Sequence, residues 1–138
     1  MTSYRLHARL EGHVGRVFSA RFVTGGRAIV TAGGDGVARL WDTGSGELRQ
    51  TFRGSARFLA DVAITPDGAI LMAGGGDGLL RFWDTASGRP LWKIQAHNSG
   101  VIGIHVDGDD IVTRGAAGEV SRWTLPASPG VIAAASVK

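Results

Sequence analysis

The 138-residue chain contains no cysteine, which removes disulfides, thiolate metal sites and cysteine nucleophiles together and leaves the redox compartment unspecified. It has no apolar run of membrane-spanning length, and its opening M-T-S-Y-R-L-H-A-R-L holds no apolar core of signal-peptide size. A cytoplasmic chain that keeps clear of membranes is expected on that basis. Basic residues do not cluster: 15 Lys and Arg against 12 Asp and Glu, spread along the chain, leave a formal charge of +3. Nucleic-acid binders concentrate such charge on one element, so this distribution points away from nucleic acid. Prolines number only 4, whereas 22 glycines lie between apolar runs without collagen spacing. That pattern marks many short strands joined by tight turns, and 43% hydrophobic residues suffice for one domain-sized core.

One stretch organises the rest. T-A-G-G-D-G-V-A-R-L-W-D (residues 31–42) returns as A-G-G-G-D-G-L-L-R-F-W-D (residues 73–84) and, eroded, as T-R-G-A-A-G-E-V-S-R-W-T (residues 113–124). Trp41, Trp83 and Trp123 therefore recur about every 40 residues, the interval of propeller-blade repeats. Strands are expected at 17–23, 28–32, 37–41 and 48–52, again at 58–64, 69–73, 79–83 and 90–94, and at 101–106, 111–114 and 120–123. The turns between them are too short for parallel crossovers, so the strands form an antiparallel meander. Pro66 presets a turn, and Pro90 belongs at a strand start or an outward edge because it cannot donate to a ladder. Three units result, at about 11–53, 54–95 and 96–125, preceded by a strand at 4–10. Residues 126–138 have two prolines and small residues where a fourth strand of the third unit should begin, and read as a tail or linker.

Gly12-His13, Val17, Gly33-Gly34-Asp35-Gly36 and Trp41-Asp42, with their counterparts in the later units, resemble the WD-repeat family over about residues 6–125. The resemblance implies an all-β fold of four-stranded antiparallel β-propeller blades, about three of them, in an incomplete ring. It also implies a His–Ser/Thr–Asp–Trp network pinning each blade. Carried over by position, the first unit supplies His13, Thr31, Asp35 and Trp41. The second keeps Asp77 and Trp83 but has Ser55 and Ala73, and the third keeps His97, Thr113 and Trp123 but has Ala117. In the complete network Asp accepts from His, His bonds the hydroxyl, and the hydroxyl accepts from the indole N–H. Each orphaned group costs about 1–3 kcal/mol, so the second and third blades are expected to be softer than the first unless water fills the gap.

Nothing in the sequence argues for catalysis, a cofactor or a metal. His13, Asp35 and Thr31 match a catalytic triad in residue type only: they recur with the repeat, as a structural device would, and no Gly-x-Ser-x-Gly turn is present. His7, His13, His97 and His105 lack ligand spacing, and the Asp107-Asp109-Asp110 turn lacks calcium-loop register. The expected function is a non-catalytic scaffold that binds a protein or peptide. In the family, partners meet positions that here are Arg16, Phe18 and Gly34, then Phe58, Ala60 and Gly76, then Gly100, Ile102 and Ala116. Arg16, Phe18, Arg57 and Phe58 are the candidate contact residues, suited to a peptide with an apolar anchor and an acidic residue. The competing fate of the two phenylalanines is burial between blades. Propellers close with roughly 4–8 blades, so three leave apolar faces uncovered. Either two copies exchange strand 4–10 to make a six-bladed homodimer, or the chain is a fragment of a larger multidomain protein, such as a bacterial kinase or redox enzyme with an appended propeller, with no activity of its own.

Overall fold

The computed structural model describes residues 5–23, 25–54, 57–125 and 136–137. Apolar runs cut by glycine turns give three meanders. The first sheet is β1 (Val17–Phe22), β2 (Ala28–Gly33), β3 (Val37–Asp42) and β4 (Leu48–Arg53), in that order. The second is β5 (Leu59–Ile64), β6 (Ile70–Gly75), β7 (Leu79–Asp84) and β8 (Pro90–Gln95). The third is β9 (Val101–Asp107), β10 (Asp110–Gly115), β11 (Val120–Thr124) and β12 (Ser136–Val137). All neighbours are antiparallel. The Gly-Asp-Gly turns between second and third strands close on Gly36 and Gly78, whose φ of 75° and 79° would strain any residue with a Cβ.

Two expectations need revision. Residues 5–10 form no strand. A strand needs a ladder beside it, and Ala8 and Arg9 instead run against Gly46 in the turn between β3 and β4. Nor is the whole of 126–138 a tail: Ser136 and Val137 pair with Trp123 and Arg122 of β11. The unpaired edge of β11 is a ready template for such pairing. Strand exchange between two copies would need that same edge, and β12 holds it.

The sheets stack face to face. Val30, Ala32, Ala38 and Phe52 of the first meet Leu59, Val62, Leu71, Ala73 and Trp83 of the second. On its other face the second sheet sets Met72, Leu80 and Phe82 against Val101, Ile104, Ile111 and Trp123 of the third. The packing leaves little slack: a Cβ on Gly74 would stand 2.3 Å from Val101 Cγ1. Phe52 meets Trp83 edge-on at 6.0 Å between ring centroids, a favoured aromatic geometry.

A buried carboxylate joins the first strands of all three sheets. Asp61 on β5 accepts from Ser19 Oγ at 2.6 Å and from Arg21 Nη2 at 2.7 Å, both on β1. It also accepts from the Ile104 amide of β9 at 2.8 Å and from the Val62 amide at 2.9 Å. Arg21 Nη2 in turn donates to the Ile104 carbonyl at 3.1 Å. Burial pushes the Asp61 carboxyl upward, but hydrogen bonds from Arg21, Ser19 and the two amides outweigh it and hold the group below its usual range. Replacing Asp61 by alanine strands these donors at the sheet junction. The expected loss is about 3 kcal/mol of unfolding free energy in denaturant titration, with Ser19→Ala losing about 1 kcal/mol; equal, negligible losses would show that the carboxylate does not join the sheets.

Candidate functional site

Two sets of residues concern function: the polar network that fixes each blade's turns, and the side chains those turns present to solvent. In the first blade Trp41 Nε1 donates to Thr31 Oγ1 at 2.8 Å, and His13 Nε2 lies 2.5 Å from the same oxygen. Arg39, absent from the expected network, stands between histidine and acid. Its Nη1 is 2.6 Å from His13 Nδ1 and 2.8 Å from Asp35 Oδ2. A guanidinium only donates, so Nδ1 is the acceptor and the ring proton sits on Nε2, pointing at Thr31. Nδ1 and Asp35 Oδ1, 3.4 Å apart, are then both acceptors, and the expected direct His–Asp hydrogen bond is replaced by one relayed through Arg39.

The electrostatics follow. Burial, then the Arg39 charge, lowers the His13 pKa below 6.5 against the opposing pull of Asp35. Burial raises the Asp35 carboxyl, but hydrogen bonds from Arg39 and the amides of Val14 and Val37 win and set it at about 2.

The eroded blades are rewired. In the second, Ser55 lies outside the described residues and Ala73 offers no hydroxyl, yet the Trp83 indole is not orphaned: it donates to the Arg53 carbonyl at 3.2 Å. Arg81, buried, grips Asp77 through Nη2 at 2.7 Å and Nη1 at 3.2 Å. In the third, His97 Nε2 and Trp123 Nε1 both reach Thr113 Oγ1, at 2.9 and 3.0 Å. The acid is missing at Ala117, and Glu119, which accepts from Ser99 Oγ at 2.9 Å, lies with His97 against Gly115. The signal for the arginines was in the repeat: Asp35 and Arg39, like Asp77 and Arg81, are four residues apart, and both members are gone at Ala117 and Ser121.

The candidate contact residues lie where the ladders slip. In β1–β2 the register passes from Val17↔Gly33 to Ser19↔Ala32, leaving Phe18 as the extra residue of a β-bulge. Ala60 is the extra residue between Leu59↔Gly75 and Asp61↔Gly74, and Ile102 between Val101↔Gly115 and Gly103↔Arg114. Bulges re-aim side chains, and Phe18 and Ile102 are 48% and 45% exposed. Phe58, at 36%, precedes β5 and meets Phe18 at 5.8 Å between ring centroids. Neither phenylalanine is buried between blades. Gly76 lies under the Phe58 ring, where a Cβ would come within 2.5 Å of it, and Gly34 lies under Phe18. Arg16 and Arg57 are exposed, and among the described residues neither pairs with a carboxylate. Also among the described residues, no three His, Asp or Glu side chains gather to hold a metal ion.

Stacked four-stranded meanders, each with a buried tryptophan on its third strand, define propeller blades. The family model for the WD domain, G-beta repeat, matches residues 4–42 and 46–84, more than half of the chain, and the chain belongs to that family. It is 38% identical over 66 residues to ribosome assembly protein 4 of Chaetomium thermophilum, covering 46% of this chain and 13% of that protein. It is 43% identical over 53 residues to the Denticleless protein homolog of Danio rerio, covering 38% of this chain and 8% of the other. Among solved structures, U3-55K and the RRP9 WD40 repeats each align with a TM-score of 0.78 at 21% identity, over 83% of this chain and 38% and 37% of theirs. The computationally designed Ika8 protein aligns with a TM-score of 0.74 at 22% identity, over 86% of this chain and 36% of that one. At such identities these structures speak to the fold alone. The chain spans well under half of each relative.

The network makes stability pH-dependent with a definite sign. His13 titrates below 6.5 when folded, so on acidification the unfolded chain takes up a proton first and stability falls as the pH drops through 6.5. Asp35 moves from 3.8 unfolded to about 2 folded, so stability falls again below about pH 4. Denaturant titrations across this range should show both declines, and His13→Gln should remove the upper one; an upper decline that persists in that variant would assign it elsewhere.

Proposed function

We propose that the protein is a non-catalytic interaction scaffold whose contact surface is Phe18 and Phe58, flanked by Arg16 and Arg57. Its partner is a protein segment carrying an apolar anchor beside an acidic residue. The observation that supports this most is the Phe18–Phe58 pair, two half-exposed rings from adjacent blades in mutual contact. Aromatic rings backed by rigid sheet are what binding hot spots are made of, and the exposed arginines Arg16 and Arg57, which among the described residues meet no carboxylate, suit a carboxylate partner. The relative named as a ribosome assembly protein favours a role in assembly over one in chemistry.

A second reading has these blades serving only as a segment of a larger multidomain protein. Exposed apolar side chains at the two ends of the stack, Phe22 and Val120 at 69% and 63% exposure, favour it. Fluorescence anisotropy with a panel of labelled peptides pairing Leu or Phe with Asp or Glu separates the two. Under the scaffold reading some of these peptides bind, and Phe18→Ala or Phe58→Ala weakens binding about tenfold or more. Binding that both variants leave unchanged removes the proposed surface, and no binding by any peptide favours the segment reading.

A further inference from the structure

The second blade carries a feature the other two lack. Its tryptophan has no hydroxyl to bond, because Ala73 stands where Thr31 and Thr113 stand, and the indole N–H turns to the Arg53 carbonyl. Beside that rewired corner lies a cleft of about 300 Å³, bounded by Arg53 and Gly54 on one side and by Arg81, Trp83, Leu91 and Lys93 on the other. A ladder slip makes room there: register passes from Phe82↔Trp92 to Trp83↔Pro90, leaving Leu91 as the extra residue on the edge strand β8.

The lining is one-sided in charge. Arg53 and Lys93 are exposed, and among the described residues neither meets a carboxylate. Asp77, the nearby acid, is already held bidentately by Arg81. The apolar surface in the lining comes from Leu91 and Trp92, half-buried, and Pro90, exposed, while Trp83 is buried at its base. A cleft of this size sits at the small end of those that take small molecules, and an apolar floor under two unneutralised cations selects for an anion with an apolar body.

We propose that this cleft is a binding site for a small organic acid: an apolar chain or ring resting on Leu91 and Trp92, with its carboxylate held by Arg53 and Lys93. The site is separate from the Phe18–Phe58 surface, and it does not depend on the peptide-binding reading.

Hexanoate is a suitable probe, with hexanol as its uncharged counterpart. Titration of the ¹⁵N-labelled chain with hexanoate should shift the Trp83 indole resonance and the amides of Gly54, Leu91 and Lys93 saturably, while hexanol leaves them unmoved. Lys93→Glu together with Arg53→Glu should weaken hexanoate about tenfold or more, and the milder pair Lys93→Gln and Arg53→Gln should weaken it less, with dispersed spectra showing that both fold. Phe18→Ala and Phe58→Ala should not alter the titration. Equal shifts by hexanol, unaltered affinity in the charge variants, or loss of hexanoate binding in the phenylalanine variants would each overturn the assignment.

Discussion

The middle sheet is apolar on both faces, and only a neighbour on each side keeps Leu71 and Trp83, and Met72 and Phe82, out of water. Burying a large apolar side chain contributes about 1.5–3 kcal/mol, so face-to-face stacking supplies most of what fixes the backbone of these short strands. A single repeat cannot cover itself, which is why such units occur in tandem. Asp61 adds direction to that stacking. Apolar faces alone tolerate sliding, whereas a carboxylate that must meet β1 and β9 at once sets where each sheet stands against the next.

Within each blade the polar network has a narrower task, which is to hold the loop entering the first strand against the turn between the second and third. Arg39 changes how it does so. With a permanent cation between imidazole and carboxylate, His13 is kept neutral and in one tautomer, and the ring is a fixed strut. The other blades meet the need for partners differently: a main-chain carbonyl serves Trp83, and in the third Thr113 alone bonds both His97 and Trp123.

Strand positions and the blade plan were legible in the sequence because glycine turns and alternating apolar runs are local signals. Among the described residues, eleven of the twelve strands lie within a residue or two of their expected places. Phe18 and Phe58 could be placed on a loop face but not paired with one another, since their contact depends on how two blades pack. Arg39 and Arg81 were visible in the repeat as the fourth residue after the acid, yet their burial was not, because arginine is ordinarily a surface residue. Asp61 carried no local signal: its donors on the other two sheets lie about 40 positions to either side. The failure at residues 5–10 has the same root, for alternation shows that a segment can be a strand and cannot show that an edge is waiting for it.

The slipped ladders have a consequence for the first strand of each repeat. Phe18, Ala60 and Ile102 each occupy a position that the pairing of the first strand skips. A residue there is released from the cross-strand partner that fixes its neighbours. Each repeat thus keeps its ladder and sets one position outside it, here an aromatic ring, a methyl group and a branched aliphatic.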